Sequence, residues 1–225
     1  MEFQAARELK IGSIINATLD VIERNMVPAL IFVMVVTAVN AAIAYLGLSY
    51  TSFTRELAKG AIAFVFAVAA AYVLFEVMLR KGNLVERKSD EELLGYALLS
   101  ILYSLGVGIG FILIIFPGLY FMARWSVAQP LVIARGNGAI EAMKESWERT
   151  KGSEFSILIA IVILIIVPAA ISFLVTTGFE PDDLLGITIS QLISSASSMI
   201  GIAMGGALYR LIIAGPDGAM AKTFE

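Results

Sequence analysis

Two ionisable side chains, Glu76 and Arg124, stand well inside long apolar runs of this sequence. A charge at such depth in hydrocarbon is expensive, and by default it marks a substrate path, a proton relay or a counter-ion pair. Asn40, Gln129 and Gln191 add amides inside other apolar runs, and Ser194, Ser195, Ser197 and Ser198 set four hydroxyls on one short stretch. Polar groups in an apolar setting must find partners. These residues are therefore candidates for ligand contacts or for the lining of a polar cavity, and hydrogen bonds between helices account for them equally well. Two arrangements are open for the charges. Either Glu76 and Arg124 pair, or Glu76 meets Arg80 and cytoplasmic water while Arg124 reaches outward.

Much chemistry is excluded by what is missing. The chain has no histidine and no cysteine, which removes disulfides, thiol nucleophiles, imidazole acid–base catalysis and the usual zinc or haem ligation. No lysine lies in an apolar run to serve a Ser–Lys pair, and no phosphate-binding Walker loop occurs. Gly106-x-Gly108-x-Gly110 sits within an apolar run, without the strand-to-helix setting of a nucleotide fingerprint. No catalytic residue, metal or cofactor is expected, and no basic, aromatic-interleaved patch suggests nucleic acid.

The elements that must position the candidates follow from composition. Of 225 residues, 59% are hydrophobic and 16% charged, well outside the balance of a soluble domain. A span needs roughly 20 apolar residues. Six runs qualify or nearly do: 27–46, 60–79, 93–116, 118–134, 155–176 and 184–209. The fourth is short and holds Arg124. Charge placement argues that it crosses, because Lys and Arg collect in cytoplasmic loops. Thirteen of the sixteen basic residues fall on one side if all six segments cross, including Arg80 to Lys88 and Arg135 to Lys151. The expectation is an all-α polytopic bundle forming one membrane domain over 1–225, with both termini cytoplasmic. Pro117-Gly118 reads as the breaker between the third and fourth spans. Ser89-Asp90-Glu91-Glu92 reads as a capping box, and Pro181-Asp182-Asp183 as the acidic start of the sixth span.

Two further segments are amphipathic. In 8–24, Ile11, Ile14, Ile15, Leu19 and Ile22 share one helical face. In 139–151, Ile140, Met143 and Trp147 form an apolar stripe. Both are expected to lie in the inner interface, with Trp147 at headgroup depth and Arg149 beside it. Small residues at four-residue spacing predict helix-packing seams: Ala67 with its neighbours Ala63 and Ala71, Gly106 with Gly110, and Gly201 with Gly205.

The stretch 117–152, PGLYFMARWSVAQPLVIARGNGAIEAMKESWERTKG, and the opening IGSIINATLDVIERN together resemble a group of small bacterial membrane proteins. The marks are Pro117, Gly118, Arg124, Pro130, Ala142, Ser146, Trp147, Thr150 and Gly152. The group is the membrane-domain family named for glycerophosphoryl diester phosphodiesterases, including proteins called YciC-like. Arg135 stands where that group often has an acidic residue. The resemblance implies a six-helix bundle of the bacterial inner membrane. The soluble phosphodiesterase domain that gives the family its name has no counterpart in this sequence, so its hydrolase activity is not carried over.

Three functions follow in order of expectation. The first is a non-enzymatic module that binds lipid or a partner and serves envelope homeostasis. The second is a transporter or channel-like protein for a lipid or small amphiphile, using Glu76, Arg124 and the serine-rich last span. The third is a lipid-modifying enzyme, for which Glu8, Asp20, Glu23 and Glu141 are the available carboxylates. Membrane lipids are the expected partners, with a homo-oligomer or another membrane protein as a further candidate. A lipid-sized polar cavity within the bundle would favour transport, whereas a closed apolar core would favour the first reading.

Overall fold

A computed structural model describes residues 9–47, 53–86, 92–113, 115–179 and 183–214. Among these residues the chain is helical, without strands. Helix α1 is Ile11–Arg24, α2 Met26–Gly47, α3 Phe53–Lys81, α4 Glu92–Leu113, α5 Ile115–Arg124, α6 Ala128–Arg135, α7 Ala139–Arg149, α8 Glu154–Ile161, α9 Val167–Thr176 and α10 Leu184–Tyr209. A π turn, Val162–Ile166, joins α8 to α9, and another, Arg210–Ala214, ends α10.

Five helical stretches are long and apolar enough to cross a membrane: Met26–Tyr45, Glu56–Lys81, Glu92–Leu113, Glu154–Leu174 and Leu184–Ala214. Their outer faces carry exposed Met34, Val65, Ile112, Phe173 and Leu185, among many others. Apolar surface on that scale belongs in lipid, and the protein is a multi-pass membrane protein. The expected fourth span is not among the five, because the chain breaks at 125–127 between α5 and α6. Pro130 explains the break. A continuous helix would set its ring against the Ser126 carbonyl and leave that carbonyl without an N–H. As the third residue of a new helix, by contrast, Pro130 lacks only an N–H that had no intrahelical partner anyway.

Proline punctuates two other places in the same way. Pro117 does not separate the third and fourth segments as expected. α4 ends at Leu113 and α5 begins at Ile115, so that Pro117 sits in the first turn of α5. Pro168 follows the π turn, whose wider winding accommodates the lost bond to the Leu164 carbonyl.

α5 and α6 together retrace α4 in the opposite direction. A Cβ on Gly110 would lie 2.8 Å from Gly118 Cα, one on Gly106 would lie 2.5 Å from the Trp125 ring, Gly95 faces Val132, and Gly136 lies at Glu92. α7 then doubles back along α6. α10 is the central helix and packs against α1, α2, α3, α6 and α9. Asp183 caps its start, accepting the Leu185 N–H at 3.0 Å, while the expected capping box at 89–91 falls outside the described residues.

The two amphipathic segments fare differently: α1 buries a face that includes the expected Ile14, whereas α7 buries a face other than its apolar stripe. α1 buries Ile14 and Thr18, with Thr18 Oγ1 donating to the Ile14 carbonyl at 2.8 Å. In α7 the buried face is Ala139, Ala142 and Ser146, continued by Thr150. The stripe of Ile140, Met143 and Trp147 is not the buried one, and Ile140 is exposed. Small side chains let α7 approach α6 closely, which a bulky stripe would prevent.

Candidate functional site

The break between α5 and α6 removes hydrogen bonds that a continuous helix would make. The Val127 N–H loses the Ala123 carbonyl and the Arg124 carbonyl loses the Ala128 N–H, which turns to Trp125 at 3.1 Å. In an apolar surrounding, such groups need other partners. α7 supplies them. Ser146 Oγ donates to the Arg124 carbonyl at 2.8 Å and accepts the Val127 N–H at 3.3 Å, so one hydroxyl serves both strays. Thr150 Oγ1 lies 3.2 Å from the same carbonyl and 2.8 Å from the Ser146 carbonyl. Ser146 and Thr150 are fully buried.

Arg124 is the charged centre of this clamp. Its side chain is 4% exposed, and Nη1 stands 3.7 Å from Glu154 Oε2 at the start of α8. The guanidinium lies 4.5 Å from the Trp147 ring centre, a cation–π contact that strengthens as water is removed. Trp147 packs edge-on against Tyr120 at 5.8 Å and near Phe121 and Trp125. Trp147 thus belongs to an aromatic cluster of the chain's own side chains. The Arg124 partner is Glu154 rather than Glu76, and the arginine does not reach outward. Glu76 pairs with Arg80 on its own helix, Oε1 to Nη2 at 2.7 Å. The marks of the family resemblance converge here: Gly118 on Gly110, Pro130 at the break, Ala142 and Ser146 on the buried face, Trp147 beneath Arg124, and Gly152 in a left-handed turn with φ 85°.

The far side of the break faces a cavity of about 800 Å³. Trp125, Ser126 and Gln129 border it from the break and α6, with Asn40 on α2, Ala67 on α3, and Ser194, Ser197, Gly201 and Gly205 on α10. Phe32, Ile161, Ile165 and Met204 supply apolar walls. Ser126 Oγ is buried without a hydrogen-bond partner in the protein. Ser195 and Ser197 are spoken for, donating to the Gln191 and Ile193 carbonyls of their own helix at 2.7 and 2.9 Å. Asn40 and Gln129 are therefore brought together at the cavity, while Gln191, Glu76 and Arg124 are not among its lining residues. Ala67 borders the cavity instead of closing a seam.

The remaining expected residues scatter. Arg149 is half-exposed, 3.5 Å from Glu145. Arg135 is held by Glu86 at 3.3 Å and Glu145 at 3.0 Å, and the Glu86 N–H donates to the Ala134 carbonyl at 2.8 Å. Asp20 lies between Arg24 and Arg210, Glu141 is exposed on α7, and Glu8 falls outside the described residues. Among the described residues no group of three carboxylates could hold a metal ion. Glu154, Ser126 and the pairing of Ser146 with the break were not anticipated. Their only sequence signal was Pro130, four residues after Ser126.

Residues 98–199 match the family described as the membrane domain of glycerophosphoryl diester phosphodiesterase. The match covers most of α4, the whole Arg124 clamp and more than half of α10, and includes the stretch 117–152 on which the resemblance rests. No curated protein and no solved structure gives a significant match to the chain.

Proposed function

With residues 98–199 assigned to a membrane-domain family, we propose that this protein is a non-enzymatic membrane module whose central cavity receives the apolar part of a lipid or similar amphiphile. The cavity carries the reading. Its volume of about 800 Å³ falls in the range of roughly 300–1,000 Å³ usual for small-ligand sites. Its apolar walls suit an acyl chain, and Asn40, Gln129 and Ser126 suit an ester or hydroxyl. No hydrolytic step is assigned to it. Native mass spectrometry of the purified protein tests the reading. A lipid adduct that survives purification, and that Gly201→Leu diminishes by filling the cavity, supports it. A bare protein, or an adduct indifferent to that substitution, overturns it.

The topology that goes with this function has six crossings in a bacterial inner membrane, with both termini cytoplasmic. The antiparallel course of α5 and α6 along α4 supports a fourth crossing, as does the bias of basic residues. The cysteine-free chain makes a direct test simple. Lys59→Cys and Lys144→Cys should react with an impermeant maleimide from opposite faces, and reaction from the same face would remove the fourth crossing.

A second reading, transport of the same class of ligand, is favoured by one observation. Two interrupted helices border the cavity, one at 125–127 and one at the π turn beside Ile165, and interrupted helices at a central site are common in transporters. Proteoliposomes with a fluorescent lipid discriminate: accelerated transbilayer movement supports transport, and retention without movement supports the binding module.

A further inference from the structure

A second cavity, about 630 Å³, lies where α1, α3 and α10 end. Arg24, Lys81, Arg135 and Arg210 line it, with Glu86 the one carboxylate in the lining. Asp20 is shared between Arg24 and Arg210, its two oxygens 2.8 and 2.9 Å from them. Glu86 and Glu145 together hold Arg135. Each guanidinium has five N–H donors, and these pairs leave several unused. Among the described residues Lys81 has no carboxylate partner, so one positive charge is in excess.

Two buried side chains at this cavity each keep hydrogen-bonding capacity that the protein does not use. Tyr209 is 1% exposed and Asn25 4% exposed, and both line the cavity. Asn25 Oδ1 has no hydrogen bond in the protein, and the Tyr209 hydroxyl, beside the Arg135 guanidinium, has no acceptor for its own proton. Asn25 Nδ2 donates to the Val21 carbonyl at 2.8 Å, which turns Oδ1 away as an acceptor. An unpaired buried polar atom is destabilising, and two beside the same basic cavity point to something that pairs with both. The turn that floors the cavity is firmly built. Asn83 takes a left-handed conformation with φ 53°, and Leu84 N–H returns to the Leu79 carbonyl at 2.9 Å. A Cβ on Gly206 would meet open space.

We propose that this cavity binds a phosphate group carrying an O–H, on phosphorus or on a neighbouring alcohol. The oxyanion takes hydrogen bonds from Lys81, the free guanidinium donors and the Tyr209 hydroxyl, and the O–H donates to Asn25 Oδ1. Basic pockets between membrane helices are sites for phospholipid headgroups, and free phosphate offers the same chemistry. The proposal stands apart from the central cavity, because the two sites are lined by different residues and Gly201→Leu leaves this one untouched.

The full chain in phosphatidylcholine nanodiscs is titrated with inorganic phosphate against chloride at equal ionic strength. Separately, its retention of phosphatidylglycerol over phosphatidylcholine is read by native mass spectrometry. Phosphate should raise the melting temperature. Lys81→Gln and Gly206→Leu should weaken binding at least about fivefold, as loss of a charge-assisted bond or of space predicts. Tyr209→Phe should weaken binding without lowering the melting temperature of the unliganded protein, which a purely structural hydroxyl would not do. A response to both ligands identifies the phosphate itself as sufficient. Phosphatidylglycerol retention that is lost in these variants, without any effect of free phosphate, identifies a headgroup. Absence of both, or binding unchanged in the three variants, overturns the proposal.

Discussion

Small residues at four-residue spacing occur on α4 and on α10, and Gly110 on the first and Gly201 on the second are put to opposite uses. On α4, Gly110 faces Gly118 of α5 so closely that a methyl group would meet backbone at 2.8 Å, and Gly106 takes the Trp125 ring. On α10, Gly205 takes the Phe75 ring at 3.0 Å, but Gly201 has only the tip of Ile165 at 3.5 Å, and with Ser194 and Ser197 it borders an open cavity. The spacing is the same and the outcome depends on what stands across. A glycine opposite a glycine lets two backbones touch, whereas a glycine opposite Ile165 leaves room. Small-residue periodicity therefore predicts a smooth helix face. It does not predict whether that face is a seam or a wall.

Four substitutions or conditions break or sharpen this contrast. Gly110→Leu has the largest expected effect, because its clash is with backbone and cannot be relieved by a rotamer. A loss of about 3 kcal/mol or more is expected, read as a collapse of the folded fraction after heating in detergent. Ser146→Ala comes next. It strands the Val127 N–H and leaves the Arg124 carbonyl only the longer contact from Thr150, and should lower stability by about 1–3 kcal/mol, while Ser146→Thr should recover part of the loss. An unaltered melting temperature in the alanine variant would mean that the break is capped some other way. Gly201→Leu should change stability by less than about 1 kcal/mol, since a Cβ fits there and leucine favours helix over glycine, yet it should reduce retained lipid. If Gly201→Leu unfolds the protein as Gly110→Leu does, the two glycines are not different in kind.

The smallest effect is at the rim of the α10 side, where Asp20 ties α1 to Arg210. Hydrogen bonding from Arg24, and then from Arg210, holds the Asp20 carboxyl below its ordinary range. Its stabilising contribution is therefore complete above about pH 3.9, the unfolded value, and is lost as pH falls through the lower folded value. A melting temperature followed from pH 6 to pH 3 should fall less steeply in Asp20→Asn than in the unsubstituted protein.

Much of this architecture was legible in the sequence. Uninterrupted apolar runs located the five long helices, with α10 at its full bounds of Leu184–Tyr209. The split of the fourth segment was legible in principle from Pro130, but hydropathy averages over a break that steric clash enforces. The face of α7 was misread because Ile140, Met143 and Trp147 carry the stronger apolar signal, while the buried face is small and partly hydroxylic. The partner of Arg124 could not be read from depth along straight spans. It depends on α7 folding back and delivering Glu154 to the break, which is a tertiary fact. Arg24, Lys81 and Arg210 were visible as charges at helix ends, where they counted toward topology, and nothing local tied them to Asn25 and Tyr209.

The single hydroxyl that serves both sides of the break also has a consequence in time. A ribosome delivers α5 and α6 before Ser146 and Thr150 have been made, so the nascent segment emerges with its two stray backbone groups uncapped. Gly110 and Gly118 are already available to zip α5 onto α4, but the final piece arrives only after some twenty further residues (Arg124 to Ser146). Packing of this segment is thus finished by a part of the chain that comes later. A chain stopped short of α7 would leave the Val127 N–H and the Arg124 carbonyl without the Ser146 hydroxyl.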